Sequence, residues 1–205
     1  NMFALVESGS ITQFPKGNKG ITIGDNQYPQ TIYTLWTEAE RNAIGIYTVE
    51  IDSTNRKDEE FYINTNITYA FGSGKVTGSY GTATAKKLAD EDAVDENGDK
   101  LKDADGNQVI NYGLKTKYKN QFNAQAAGFL AKTDWYVIKA ADVGSYSVPS
   151  NITTYRAAVR TKVNAMETSI DNCSDVDALI TLLTYTTDSE GVTSRPLGEF
   201  PDEVV

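Results

Sequence analysis

The stretch TDWYVIKAADVGSYSVPSNITTYRAAVRTKVNAMETSI, residues Thr133 to Ile170, carries the strongest structural signal in the chain. Pro149 and Ser150 introduce its second half. Ile152, Tyr155, Val159, Val163, Met166 and Ile170 then follow at steps of 3, 4, 4, 3 and 4. At about 3.6 residues per turn, that spacing draws one apolar stripe along about five helical turns. Arg156, Arg160 and Lys162 are expected on the opposite, solvated face. The first half of the stretch holds the adjacent pair Trp135 and Tyr136. Such side chains bury large area yet keep a polar handle, which suits cores and interfaces alike. The segment reads as a packing and docking element. Trp135, Tyr136, Tyr155, Arg156 and Arg160 are its candidate interaction residues.

Working outward, Leu114 to Ala131 places Leu114, Tyr118, Phe122, Gln125 and Phe129 at helical spacing, interrupted by Gly128. A last helix is expected from Ser174, with Asp177 completing a cap-like pair. Val176, Leu179, Ile180 and Leu183 form its apolar face. Residues 114–190 therefore predict a helical domain, a bundle of about three helices. Residues 191–205, containing RPLGEFPDEVV, read as an extended tail, either disordered or laid along a neighbour.

The other end of the chain has a different period. MFALVE and SITQF flank Ser8-Gly9, which predicts an opening hairpin. FYINTNITYAF and KVTGSYGTA flank Gly72-Ser73-Gly74, which predicts a second. IYTVEI alternates as a strand between them. Thr37 and Glu40 match a capping box ahead of one short helix, and Gly45 stops it. PKGNKG, residues 15–20, is a loop by composition. Residues 1–88 are thus expected to form a β-rich domain of about five strands. Residues 89–113 are acidic and poor in core residues. With Asn97-Gly98 and Asp105-Gly106 as turn formers, they read as an exposed linker or hairpin. Strands first and helices afterwards give the class α+β.

Composition narrows the function. Of 205 residues, 40% are hydrophobic and 23% charged, which is ordinary for a packed domain. A net charge of -9 repels phosphate backbones, so no nucleic-acid partner is expected. No apolar run approaches the length of a membrane span. The opening NMFALVESGS lacks a basic start and long apolar core, so no signal peptide is expected, and Met2 is read as the native start. The single cysteine, Cys173, has no internal partner and reads as a buried thiol. Histidine is absent, which removes the commonest general base, nucleophile activator and zinc ligand together.

The remaining motifs fail their chemical tests. Asp95, Asn97 and Asp99 alternate as in half of a calcium loop, but Lys100 stands where glycine is needed and Gly106 where glutamate is needed. Glu59-Glu60 and Asp90-Glu91-Asp92 are adjacent carboxylates, not a pair facing across a cleft. Gly72 to Gly78 sits between strands and opens no helix, so it is no phosphate loop. No catalytic residue, metal or cofactor is assigned, and the chain is read as non-enzymatic.

Several of these segments resemble bacteriophage virion proteins of the marine, cyanophage type, in particular tail-fibre-associated and tail-fibre-assembly proteins. MFALVESGSITQFP resembles their opening hairpin, "Tyr-Ala-Leu-Val…Gly-x-Ile". NAIGIYTVE resembles their "Leu-x-x-Gly-Ile-Tyr-Pro-Val" segment, with Thr48 in place of the proline. AAGFLAKTDWYVIKAADVGSYSVPSNITTYRAAVR is similar to their "Leu-x-x-Thr-Asp-Trp…Pro-x-x-x-x-x-Tyr-Arg-x-x-x-Arg" region, through Pro149, Tyr155, Arg156 and Arg160. RPLGEFP is similar to the ending of virion structural proteins. The resemblance spans both ends and most of the middle, but not the acidic excursion. It implies a structural protein of the tail, baseplate or fibre region, made in the host cytoplasm and carried in the virion. Its implied partners are other tail or fibre proteins, with homo-oligomers also open. The alternative it implies is an assembly chaperone that binds a fibre subunit.

Overall fold

The structure is a computed structural model of the chain and describes residues 1–204. It is α+β, as the order of elements in the sequence requires. The chain divides into two compact units, residues 1–84 and residues 85–205.

The first unit is built on a five-stranded sheet. Its strands are β1 (Phe3–Glu7), β2 (Ser10–Gln13), β5 (Ile46–Asp52), β7 (Thr68–Gly72) and β8 (Lys75–Ser79), in the order β2-β1-β5-β8-β7. All neighbours are antiparallel except β5 and β8, which run parallel. Both predicted hairpins form around two-residue turns. Ser8-Gly9 and Ser73-Gly74 have φ of 52° and 78°, and 52° and 72°, the left-handed pair that matches strand twist. The sheet curls until its edges approach: Phe14, just past β2, meets Tyr69 of β7 with ring centroids 4.9 Å apart.

Alternation along the strands makes two cores from one sheet. Ala4, Val49 and Val76 are buried on one face, with Val6, Ile11, Tyr47, Tyr69 and Phe71 packed around them. Those eight residues come from all five strands, so they fill the inside of the curl. Phe3, Leu5 and Ile46 point the other way. They pack against Ile21, Ile32 and Tyr33, which arrive from β3 (Ile21–Ile23) and a one-turn helix, α1 (Ile32–Leu35). β4 (Asn26–Tyr28) pairs with β3, and α2 (Glu38–Ala43) carries the expected reciprocal Thr37–Glu40 cap. Short strands β6 (Tyr62–Ile63) and β9 (Thr84–Ala85) complete the set. Sequence reading expected one helix here. α1 was missed because four residues give no periodicity.

The second unit opens with a cloverleaf, β10 (Glu91–Asp92) and β11 (Ile110–Asn111) forming its stem. Two further hairpins leave the stem, bridged at Val94–Lys100 and Lys102–Gln108. At the centre, three residues eight apart bond in a cycle. The Ala93 amide donates to Val109 O (2.8 Å), Leu101 to Ala93 O (2.9 Å) and Val109 to Leu101 O (3.0 Å). Asp95 and Asp103 tie their turns by accepting two amides each on Oδ1. The carboxylates thus hold their own backbone, which a calcium loop would need free.

Four helices follow rather than about three: α3 (Leu114–Ala131), α4 (Asp134–Asp142), α5 (Ser150–Asp171) and α6 (Val176–Leu183). All six stripe residues of α5 are buried. α3 runs antiparallel to α5, since Lys119 Nζ meets Asp171 Oδ1 at 2.9 Å while Arg156 reaches Leu130 O at the far end. On α3 the buried row is Leu114, Tyr118, Phe122 and Ala126, not Gln125, because a four-residue step keeps the row facing α5. α6 is capped by Asp175, whose Oδ1 accepts the Ala178 amide at 2.7 Å, and not by Ser174. The last residues are built into this unit. β12 (Thr186–Thr187) and β13 (Thr193–Ser194) form a hairpin, Leu197 is buried, and Phe200 packs on Phe129.

Candidate functional site

Four of the five candidate interaction residues meet around the turn between α3 and α4. α3 ends at Ala131, and the chain reverses through Lys132 and Thr133 into α4. Such a turn strands carbonyls at one helix end and amides at the next. Thr133, buried within it, donates through its amide and hydroxyl to Leu130 O, at 3.0 and 3.1 Å. Its side chain is therefore not spent capping α4.

Arg156 of α5 closes the arrangement. Its Nη1 lies 2.8 Å from Leu130 O, 2.8 Å from Thr133 Oγ1 and 2.9 Å from Asp134 Oδ1. A cation at the carbonyl end of α3 and an anion in the first turn of α4 both oppose the local helix dipoles favourably. The Arg156 side chain is only 14% exposed. Its expected place opposite the buried stripe is thus corrected. It sits four residues after Ile152 and three before Val159, and at about 100° per residue it borders the stripe. Arg160, one turn on, is exposed and takes no part in this cluster.

The next residue after Asp134 points outward. Trp135 is 51% exposed and stacks on Tyr136, ring centroids 3.7 Å apart and planes 28° from parallel. Further along α4, Val137 and Ile138 are exposed as well, Ile138 at 67%. No residue of α4 is buried, although the helix reads DWYVIKAAD. That is a lone helix with its apolar side chains left in water, where each fully buried one would gain about 1.5–3 kcal/mol.

Beside the aromatic pair is a cleft of about 160 Å³, lined among others by Phe129, Lys132, Trp135, Tyr136, Tyr155 and Glu203. Lys132 Nζ and Glu203 Oε1 pair across it at 2.7 Å. Tyr155 is 5% exposed, and its hydroxyl is buried with no hydrogen-bond partner. Burial, foremost, pushes its phenol up from the ordinary value. The reading of sequence missed Leu130, Thr133, Asp134, Phe129, Lys132 and Glu203 as members of this site. Thr133 and Asp134 had a signal in the Thr-Asp-Trp segment itself; the cleft depends on how Glu203 returns to Lys132, which no local pattern encodes.

What the arrangement offers is an aromatic, apolar surface on a fixed mount. Among the described residues no group of three or more His, Cys, Asp or Glu side chains is placed to hold a metal ion. No described helix is long and apolar enough to cross a membrane. Cys173 is buried, and loss of solvation, foremost, pushes its thiol up from the ordinary range, which lowers its nucleophilicity at neutral pH. Compared with known proteins, the chain matches no family model, and it finds no significant match among curated proteins or solved structures.

Proposed function

We propose that this protein is a non-enzymatic structural component of a phage tail, baseplate or fibre region that works by docking other tail proteins, with the α4 face as its contact surface. One observation carries the reading: α4 exposes Trp135 and Ile138, which share a side at three-residue spacing, while Arg156 fixes the turn that aims it. Trp, Tyr and Arg are the residues that dominate binding energy where partners meet. Of the residues that carry the sequence resemblance, Pro149, Tyr155, Arg156 and Arg160, two lie here, Arg156 in the clamp and Tyr155 beside the cleft, and the Thr-Asp-Trp segment supplies Thr133, Asp134 and the exposed Trp135.

Half-exposed Trp135 leaves on the order of 100 Å² for contact. A stable interface needs about 800 Å² per partner, so α4 would be the centre of a wider surface. Mass spectrometry of purified phage particles is the test. The protein is expected as a stoichiometric component, and its absence from them would refute the structural role. Were it absent, co-expression with fibre subunits would test the chaperone role, in which fibre solubility depends on this chain.

A further inference from the structure

The loop PKGNKG, residues 15–20, is more tightly held than its composition suggests. Pro15 is buried. Gly17 has φ +74°, and a Cβ there would come within 3.2 Å of the Phe3 ring and 3.5 Å of the Tyr33 ring. Gln30 Nε2 donates to the Gly17 carbonyl at 3.4 Å. The loop thus rests on the Phe3–Tyr33 pair, whose ring centroids are 4.9 Å apart.

Its donors, by contrast, are idle. Among the described residues, no acceptor takes the amides of Lys16, Gly17, Asn18, Lys19 and Gly20, and no carboxylate pairs with Lys16 or Lys19. In a chain of net charge -9, two unpaired lysines three residues apart are notable. Around them lies a pocket of about 360 Å³, lined by the loop together with Phe14, Ile21 and Tyr33. Tyr33 is 8% exposed, and its hydroxyl is buried without a hydrogen-bond partner. That hydroxyl is closed off from the pocket, and the Tyr33 ring serves as part of the wall.

We propose that the 15–20 loop, resting on the Tyr33 ring, forms a binding site for a small oxyanion, the phosphate or sulfate group of a ligand about the size of a monosaccharide. Successive free amides and two ammonium groups supply charge-assisted donors. The ring of Phe14 and the Pro15–Ile21 wall receive the body of the ligand. The volume falls at the small end of ligand pockets. This site lies in the first unit and does not depend on the docking role of α4.

The test is a titration of the ¹⁵N-labelled full chain with sodium phosphate and, separately, sodium sulfate, each matched in ionic strength by sodium chloride, with glucose as a neutral control. Saturable shifts of the Gly17, Asn18, Lys19 and Gly20 amides are expected with phosphate, sulfate or both, and the stronger of the two identifies the group. The exposed pair Lys16→Ala/Lys19→Ala should weaken binding at least about tenfold. Tyr33→Phe, which keeps the ring packing and removes a hydroxyl closed off from the pocket, should leave binding unchanged. Shifts that follow chloride equally, or that survive unchanged in the double-alanine variant, overturn the proposal.

Discussion

Replacing Arg156 by alanine tests the mount directly. Nη1 faces three oxygens, and the loss at each differs. Leu130 O keeps the amide and hydroxyl of Thr133 as donors, and Thr133 Oγ1 keeps its own bond to Leu130 O, so no buried group is left bare. The loss is therefore the strength of the charged hydrogen bonds, about 1.5–3 kcal/mol, and not a full desolvation penalty. The ion pair adds little, on the order of 0–1 kcal/mol, because the Asp134 side chain is half exposed. Arg156→Ala should accordingly destabilise the protein by about 2–3 kcal/mol, and Asp134→Asn by less than about 1 kcal/mol. Urea unfolding followed by far-UV circular dichroism reads both from the shift in midpoint, provided the slope is unchanged. Trp135 fluorescence, in a Trp36→Phe background, should move to the red as the helix loosens. If Arg156→Ala costs under about 0.5 kcal/mol, a value typical of unattached surface positions, the clamp is wrong. An Asp134→Asn effect as large as that of Arg156→Ala would also refute the apportioning.

Three further outcomes are expected. Val159 is fully buried on the α5 stripe, so Val159→Asp should cost about 3–5 kcal/mol in urea unfolding, as an unpaired charge in a core does. Tyr155→Phe removes a buried hydroxyl that bonds to nothing, so the same assay should show a neutral or stabilising change, up to about 1 kcal/mol; a clear loss would mean that the hydroxyl has a partner. Asp90 has a carboxyl held below its ordinary range, first by the Thr116 hydroxyl and then by the Gly113 amide. Its folded pKa lies below its unfolded one, near about 4, so its contribution is present above that value and fades as pH falls through the folded pKa. Thermal melts from pH 6 to pH 2 should therefore show a shallower loss for Asp90→Asn than for the wild type.

What the sequence disclosed follows the range over which each signal acts. The α5 stripe was legible because six residues repeat one period, and all six are buried. The Ser8-Gly9 and Ser73-Gly74 turns were legible because left-handed backbone narrows the choice of residue. α4 was not, because DWYVIKAAD has apolar residues on more than one side and no contrast to set a period. The cloverleaf had a signal that went unread. Ala93, Leu101 and Val109 recur every eight residues, with Asp95 and Asp103 at the matching turn positions. Two-residue stems bury almost nothing, so hydrophobic alternation is silent there, and the turn carboxylates carry the structure instead. The Tyr33 pocket was hidden for another reason. Composition marks residues 15–20 as a loop, but only the fold brings the Phe3 and Tyr33 rings beneath them.

The position of Arg156 explains why an apolar helix can stay exposed without collapsing. Left to hydrophobicity alone, α4 would turn Trp135 and Ile138 inward, since burying each would gain kilocalories. Against that pull stands a polar fastening. Asp134 is bound to Arg156, Thr133 is buried beneath it, and both precede Trp135 directly in sequence. Because successive residues of a helix differ by about 100° in direction, fixing Asp134 inward toward Arg156 forces Trp135 to a different face. The fastening therefore sets orientation as well as stability. An arginine in α5, more than twenty residues downstream of the turn, dictates which way an aromatic of α4 looks. Lysine in its place would keep the charge and the donors, but on a shorter and more flexible stem that does not hold them where Nη1 stands. Arg156→Lys should for that reason retain most of the fold and yet let Trp135 reorient, so stability and presentation are separable properties of one side chain.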